Sequence, residues 1–250
     1  MQRYFLHEDD FQGNTFRISG EDYHHITRVM RMESGDRLIC VKQEGQAALC
    51  EITEIANDTV AGTVIEWKNE NNELPVKVAI ASGLPKGDKL EYIVQKGTEL
   101  GAHEFIPFIA ARSIVKWDPK KAIKKTERLE KIAKEAAEQS HRTIIPEVFH
   151  PKTLADLVSC GQEFDFKLIA FEEEAKRGET GALASVLREI KPGQSLLFVF
   201  GPEGGLDQSE IDKLIEAGFL ACGLGPRILR TETAPLYALS AVSYQLELLR

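Results

Sequence analysis

The chain has 250 residues, enough for one or two domains, and its 43% hydrophobic and 28% charged residues are typical of a globular protein with a sizeable core. No stretch approaches the roughly 20 apolar residues that a membrane span needs, and the N-terminus lacks the basic start and apolar run of a signal peptide, so we expect a cytoplasmic protein. The net charge of −8 argues against a uniformly basic nucleic-acid-binding protein.

The acidic balance hides one basic segment. Residues 111–134 carry nine Lys or Arg and three Asp or Glu, a local balance of 9 − 3 = +6. Charges act over short distances at physiological salt, where the Debye length is about 8 Å, so a concentrated patch can bind RNA on an acidic protein. A solvated helix face explains the same charges equally well.

The cysteines do not indicate a metal site. Cys40, Cys50, Cys160 and Cys222 are far apart, form no CxxC pair and have no neighbouring histidine ligands. We therefore expect reduced thiols and no bound metal.

The first 70 residues are predicted to be mainly short strands. A helix is predicted between the first two strands, from Glu21 to Met32, and strands at this spacing favour a small barrel. His24 and His25 on that helix have no accompanying ligand set, so surface or capping roles are favoured over chemistry. The polar segment from Lys68 to Pro75 resembles a linker. The predicted strands are Thr15–Ser19, Asp36–Gln43, Gln46–Ile55 and Thr59–Trp67.

From Val76 onward, strands alternate with helices, which predicts a mostly parallel sheet covered on both faces. Ligands of such sheets bind at the loops that leave the carboxyl ends of the strands. The predicted strands are Val76–Ser82, Glu104–Ala110, Glu147–His150, Lys167–Glu172, Ser195–Gly201 and Phe219–Leu224. The predicted helices are Lys86–Leu100, Asp118–Ser140, Thr153–Ser159, Ala182–Ile190, Ser209–Ala217 and Pro235–Leu249.

A glycine-rich loop, Phe200-Gly-Pro-Glu-Gly-Gly205, lies between a hydrophobic strand and a helix. Glycines allow a backbone to approach a flat ligand closely, although a turn that merely needs glycine is the simpler alternative. Neither dinucleotide nor P-loop spacing is present. Asp207 and Glu210 form a predicted capping box for the next helix. A phosphate would meet acids there, so adenosine with a cationic sulfonium suits the loop better.

A second loop, Leu224-Gly-Pro-Arg-Ile-Leu-Arg-Thr-Glu-Thr-Ala234, precedes the last helix. Arg230 and Glu232 could pair with each other for structural reasons. Two unusual strand-to-helix loops in adjacent units can also converge on one pocket, which favours a functional interpretation.

These motifs, together with Lys86–Gly101, Arg112-Ser113 and Glu138-Gln-Ser-His-Arg142, resemble the bacterial RsmE family, whose members methylate N3 of one uridine in small-subunit ribosomal RNA. The resemblance covers essentially the whole chain. It implies a SPOUT-type α/β fold with a trefoil knot and a mostly parallel sheet in residues 71–250, preceded by a small PUA-like RNA-binding β-barrel in residues 1–70. It also implies a homodimer, S-adenosylmethionine as cofactor and, as substrate, ribosomal RNA within the assembled small subunit.

Carried onto this chain, the resemblance predicts the cofactor contacts, and the chemistry of the side chains predicts the catalytic residues and the RNA contacts. Arg230 is our candidate for stabilising negative charge on the uracil carbonyl oxygens, and Glu232 for a base or orienting group. The predicted cofactor contacts are Phe200, Gly201, Pro202, Glu203, Gly204, Gly205, Leu224, Gly225, Arg227, Ile228, Leu229, Thr233 and Ala234. The predicted RNA contacts are Arg3, Arg28, Arg31, Arg112, Lys120, Lys121, Lys124, Lys125 and Arg142.

Two other functions stay open at this point. The first is a ribosome-assembly factor that binds RNA but has lost its cofactor. The second is a nucleotide-dependent oxidoreductase, against which the missing dinucleotide fingerprint and the acidic helix start both count.

Overall fold

The computed structural model describes residues 1–42, 44–69, 71–171 and 181–249. The chain divides into two compact units. The N-terminal unit comprises Met1–Glu73 and Ala137–Ile144, and the C-terminal unit comprises Leu74–Ala136 and Ile145–Arg250. The predicted strand ends at Gln43 and Glu172 fall outside the described residues.

The N-terminal unit contains one six-stranded sheet in the order β1-β4-β5-β6-β3-β2. Pairing is antiparallel except between β1 and β4. Inward side chains alternate with outward ones, as Phe16 and Ile18 show in β3, and they build one core. The strands are β1 (Arg3–Leu6), β2 (Phe11–Gln12), β3 (Thr15–Ser19), β4 (Arg37–Lys42), β5 (Ala47–Ala56) and β6 (Thr59–Lys68).

The four predicted strands of this unit are confirmed, but β1 and β2 were not predicted. β2 has only two residues, and β1 contains a buried arginine, so neither shows a clear alternation. The predicted single helix is divided. Helix α1 (Gly20–His24) is followed by a wider π-helical turn, His25–Val29, where the Thr27 hydroxyl donates to the carbonyl of Tyr23 at 2.9 Å.

A buried cluster of charged side chains ties residues 137–144 to the rest of this unit. Arg142 donates from Nε to Glu73 Oε2 at 2.9 Å, and its carbonyl accepts from Arg3 Nη1 at 3.0 Å. Glu73 also accepts from the backbone N–H groups of Thr143 and Ile144. The exposed fractions of Arg3 and Arg142 are 4% and 2%. Both arginines are therefore inside the protein, and this speaks against their predicted RNA contacts.

The C-terminal unit contains a six-stranded sheet in the order β12-β10-β11-β7-β8-β9, and every pairing in it is parallel. The central strands are buried on both faces. Val78 and Ile80 point to one core, and Ala79 and Ala81 to the other. The strands are β7 (Lys77–Gly83), β8 (Glu104–Phe108), β9 (Glu147–Val148), β10 (Phe166–Ala170), β11 (Ser195–Phe200) and β12 (Leu220–Cys222).

Described helices lie between these strands and after the last one, which confirms the predicted alternation. The first begins at Lys89 instead of Lys86, because Gly87 has a φ of +63°, which is not helical, and Asp88 occupies the N-cap position. The last is followed by a π-helical turn, Tyr244–Leu248, instead of continuing as one helix. The helices are α2 (Lys89–Glu99), α3 (Pro119–Gln139), α4 (Leu154–Gly161), α5 (Ala182–Glu189), α6 (Gln208–Glu216) and α7 (Ala234–Ser243).

Candidate functional site

A cavity of about 550 Å³ lies at the carboxyl ends of the parallel strands. Side chains and backbone from the segments after β7, β8, β10, β11 and β12 form its wall, as expected for a ligand site in such a sheet. Both predicted loops therefore converge on one pocket. The lining residues are Lys89, Arg112, Ala170, Phe171, Phe200, Gly201, Pro202, Glu203, Gly204, Gly205, Leu206, Ile228, Leu229, Arg230, Thr231 and Ala234.

Two positions of the glycine-rich loop after β11 must be glycine. A Cβ on Gly201 would lie 2.8 Å from the backbone nitrogen of Leu206, because the loop folds back on itself there. Gly205 has a φ of +68°, a conformation that side chains disfavour. The loop thus presents mainly backbone to the cavity, which suits close packing against a flat ligand.

The helix after this loop has its N-terminus occupied by acidic side chains. Asp207 Oδ1 accepts from the Ser209 N–H at 3.1 Å, and Glu210 Oε2 accepts from the Asp207 N–H at 2.8 Å. The predicted capping box is confirmed. Hydrogen bonds from Ser209 hold the pKa of Asp207 below its ordinary value. A phosphate at this helix end would meet two carboxylates instead of free amides.

Arg112, from the segment after β8, contacts the glycine-rich loop. Its Nη1 donates to the carbonyl of Gly204 at 3.2 Å, and its Nη2 lies 3.3 Å from Asp207 Oδ2. Its side chain stays 51% exposed. The residue predicted to contact RNA therefore also forms part of the cavity wall.

The loop after β12 brings Arg230 to the cavity. The Arg230 carbonyl accepts from the N–H groups of Thr233 and Ala234 at 2.9 and 3.0 Å, which fixes the turn before α7. Within the described part of the chain, the Arg230 guanidinium forms no hydrogen bond or ion pair with the protein. The expected alternative, a structural pair between Arg230 and Glu232, is therefore not formed.

Glu232, the second predicted catalytic residue, does not line the cavity, although Arg230, Thr231 and Ala234 beside it in the loop do. It is paired with Lys89 instead, and Lys89 was not predicted. Lys89 Nζ lies 2.9 Å from Glu203 Oε1 and 3.3 Å from Glu232 Oε2. The Glu232 Oε2 atom is buried, and no hydrogen bond of good geometry reaches it from the described residues, so the contact is an ion pair only. We call this arrangement the Glu203–Lys89–Glu232 bridge. It joins α2 to both loops of the cavity.

The charges of the bridge stabilise one another. The hydrogen bond to Glu203 raises the pKa of Lys89, and Glu232 acts in the same direction, so Lys89 is an ammonium group at neutral pH. Burial alone would raise the pKa of Glu203. The hydrogen bonds from Lys89 and from the Lys86 backbone N–H at 3.0 Å outweigh burial, and the pKa of Glu203 lies below its ordinary value.

Four predicted cofactor contacts do not line this cavity. Leu224 and Gly225 line a second cavity of about 380 Å³, with Leu187, Tyr237 and Tyr244 among its other residues. Arg227 and Thr233 line neither cavity. The other nine predicted cofactor residues lie together in the wall of the larger cavity.

Sequence reasoning missed five residues of the larger cavity, namely Lys89, Ala170, Phe171, Leu206 and Thr231. Lys89 lies in the motif that begins at Lys86, but its spacing from Glu203 and Glu232 gives no signal. Ala170 and Phe171 end β10, which lies between the strands that precede the two loops. The rule that ligands bind at strand carboxyl ends could have indicated them.

The basic side chains of α3 fall into two groups. Lys120, Lys121 and Lys124 are exposed. Lys125 is instead 3.1 Å from Glu91 Oε1 on α2, and Arg128 is 2.7 Å from Glu91 Oε2. Burial alone would raise the pKa of Glu91, but these two hydrogen bonds outweigh it and lower the pKa. Lys125 is therefore less available to a phosphate than its neighbours.

The predicted contacts Arg28 and Arg31 are exposed at the end of the π-helical turn of the N-terminal unit. Val29 and Met30 between them are exposed as well, at 67% and 38%.

In the described residues, no group of three or more His, Cys, Asp or Glu side chains could hold a metal ion. No helix of the same residues is long and apolar enough to cross a membrane.

Comparisons with known proteins found family models and relatives that match this chain. Residues 72–243 match the family model of an RNA methyltransferase domain, and residues 18–65 match that of an RNA methyltransferase PUA domain. The chain is 58% identical to ribosomal RNA small subunit methyltransferase E of Bacillus subtilis over 253 residues, which cover 100% of this chain and 99% of the relative.

Two solved structures are similar over nearly the whole chain. One is ribosomal RNA small subunit methyltransferase E of Neisseria gonorrhoeae bound to S-adenosylmethionine, with a TM-score of 0.83, 28% identity and 97% of each chain covered. The other is a Legionella pneumophila methyltransferase in complex with the same cofactor, with a TM-score of 0.84, 30% identity and 96% of each chain covered.

Proposed function

Because the chain belongs to the ribosomal RNA small subunit methyltransferase E family, we propose that it transfers the methyl group of S-adenosylmethionine to N3 of one uridine in small-subunit ribosomal RNA. The observation that carries this proposal is the cavity at the strand ends, whose wall combines a backbone-rich loop with Arg230 and Lys89. A related enzyme of the same fold binds S-adenosylmethionine, which supports the choice of cofactor.

The residues of the cavity fit this cofactor. Gly201 and Gly205 leave room for the flat adenine against backbone. Glu203 supplies a carboxylate to a wall that otherwise carries the cations Lys89, Arg112 and Arg230, so the cationic sulfonium is expected beside Glu203. The acidic cap of α6 disfavours a phosphate-bearing cofactor. The bound cofactor supplies an electrophilic methyl group.

Arg230 and Glu232 carry the chemistry in this proposal. The N3 proton of uridine must leave before or during attack, and this loss places negative charge on the uracil carbonyl oxygens. The guanidinium of Arg230 has planar donors left for those oxygens. Glu232 acts as base or orienting group. Aligning the nucleophile with the methyl group is itself worth several kcal/mol.

Exposed basic groups hold the RNA in this account. The exposed ammonium groups of Lys120, Lys121 and Lys124 on α3 are available to phosphates. Arg112 adds a positive charge beside the cavity. Arg28 and Arg31 contribute from the N-terminal unit. We assign residues 1–70 to the RNA-binding domain and residues 71–250 to the methyltransferase domain, with Ala137–Ile144 of the latter packed in the N-terminal unit.

We further propose that the enzyme is a homodimer with a trefoil knot in its C-terminal domain. Exposed hydrophobic side chains at the C-terminus support a dimer, because Tyr237, Tyr244, Leu248 and Leu249 are 43% to 72% exposed. The proposed substrate is the assembled small subunit, and the proposed compartment is the cytoplasm. Light scattering on the purified protein tests the dimer.

The direct test of function uses purified protein, S-adenosylmethionine with a labelled methyl group, and small subunits from cells that lack this gene. We expect label in one 3-methyluridine after digestion to nucleosides, and less or none with free RNA. Calorimetry with S-adenosylhomocysteine separates the alternative, because an assembly factor that has lost the cofactor would show neither binding nor transfer.

A further inference from the structure

Lys89 occupies a position that stability alone does not explain. Its side chain is 33% exposed, and ion pairs at that exposure contribute little to folding. Yet the same ammonium group reaches carboxylates on two separate loops of the cavity wall. Such an arrangement fixes the relative position of the loops more than it stabilises the fold.

The two carboxylates of the bridge are held unequally. Glu203 Oε1 accepts both from Lys89 and from the Lys86 backbone N–H, so it keeps a partner when Lys89 is removed. Glu232 Oε2 is buried and has no hydrogen bond from the described residues, only the ion pair with Lys89. Removal of Lys89 would leave this buried carboxylate oxygen without a partner among the described residues, which is costly, so the position of Glu232 depends on Lys89.

The other charged groups of the wall do not replace Lys89. Arg112 is bound to Gly204 and Asp207. Arg230 shares the cavity but forms no ion pair with Glu232 among the described residues. In this part of the chain, Lys89 is thus the cation that orients Glu232.

We propose that Lys89 is a positioning residue for methyl transfer, whose ammonium group, at the cavity wall and anchored on Glu203, holds the Glu232 carboxylate next to the cofactor cavity. This inference rests on the proposed function and extends it to a residue of α2. It predicts that removing the ammonium group displaces Glu232 and slows turnover without weakening cofactor binding.

The test compares Lys89→Met with Lys89→Arg and with Lys96→Met as a matched control. Lys96 lies on the same helix and is also paired, with Glu99 at 2.7 Å, but it does not line the cavity.

Crystal structures should show Glu232 displaced in Lys89→Met and in place in Lys89→Arg and Lys96→Met. A small misplacement can cost about 100-fold, so we expect kcat on small subunits to fall by roughly that factor in Lys89→Met. KM and the affinity for S-adenosylhomocysteine should stay unchanged. Lys89→Arg should recover most of the turnover.

Coupling to Glu232 gives the second readout. In a Glu232→Gln background, Lys89→Met should lower kcat no further, because both changes remove the same function. The inference is overturned if Glu232 keeps its place in Lys89→Met, or if the effects of Lys89→Met and Glu232→Gln on kcat multiply. It is also overturned if Lys89→Met loses affinity for S-adenosylhomocysteine instead of turnover. If the wild-type protein transfers no methyl group, the proposed function fails, and the crystal structures still decide the role of Lys89.

Discussion

The two units each contain a basic side chain held by carboxylates, and the two clusters differ in how completely they are satisfied. In the N-terminal unit, the side chain of Arg142 is 3% exposed, and Glu73 accepts from its guanidinium and from two backbone N–H groups. In the C-terminal unit, Lys89 is 33% exposed, and a buried oxygen of its partner Glu232 lacks a hydrogen bond. A buried cluster whose carboxylate is saturated with donors, as Glu73 is, serves the fold, whereas one whose carboxylate lacks a hydrogen bond next to a cavity, as Glu232 does, is available for function.

The largest expected effect lies in the saturated cluster. Arg142→Met leaves Glu73 buried without its charged partner, and breaking a buried pair in this way costs about 3–5 kcal/mol. Urea unfolding followed by the fluorescence of Trp67, which packs on the core of this unit, should report the loss. Arg37→Met is the control, because its pair with Glu51 is exposed and contributes less than about 1 kcal/mol. Equal unfolding free energies for the two variants would contradict the assignment.

At the cavity, the expected effect is on turnover and not on stability. Arg230→Ala removes the donor proposed for the uracil oxygens, and the loss of one such donor costs roughly 10²–10³-fold in kcat. Affinity for S-adenosylhomocysteine and the free energy of unfolding should stay at wild-type values. Lys213→Ala, on the exposed side of α6, controls for the loss of a positive charge. Normal turnover of Arg230→Ala on small subunits would remove this residue from the mechanism.

The two clusters should also differ in how much they contribute to the unfolding free energy at acidic pH. Burial alone would raise the pKa of Glu73, but hydrogen bonds from Arg142, Thr143 and Ile144 lower it below the ordinary value. Such a carboxylate stabilises the fold above the unfolded pKa of about 4.3 and loses this contribution as the pH falls through the lower folded value. The unfolding free energy of the N-terminal unit should therefore drop below about pH 4. Glu73→Gln should flatten that drop, and an unchanged acid profile would be inconsistent with this account.

The smallest expected effect separates free from paired lysines on α3. On single strands, each phosphate contact contributes roughly 0.7 to the slope of log K against log salt. Replacing Lys120, Lys121 and Lys124 by Ala should therefore reduce this slope for RNA binding by about 2. Lys125→Ala should change the slope less, because its ammonium group is paired with Glu91. Titrations at several salt concentrations measure both slopes. An identical slope for the triple variant and the wild type would place the RNA elsewhere.

Local patterns in the sequence were sufficient for the elements and for one side of the site. Alternation predicted β3 to β6, and the Asp207–Glu210 capping box was visible at a spacing of three residues. The glycine-rich loop indicated a close backbone approach, which Gly201 shows. Each of these features depends on neighbours in the chain, so the residues that determine it are adjacent in sequence.

Features that depend on distant contacts were not visible. Arg3 and Arg142 are 139 residues apart, and only the folded chain shows that both are buried with protein partners. Lys89 meets Glu203 and Glu232 across more than 100 residues, so no motif linked them. Basic residues were consequently assigned to RNA without a means to tell the buried, the paired and the free ones apart.

The most direct test of the account is mass-spectrometric mapping of methylated nucleosides in small-subunit ribosomal RNA from cells with and without this protein. We expect one 3-methyluridine that is present with the wild-type gene, absent without it, and not restored by the Arg230→Ala variant. An unchanged set of methylated nucleosides in the absence of the protein would contradict the account and favour the ribosome-assembly factor.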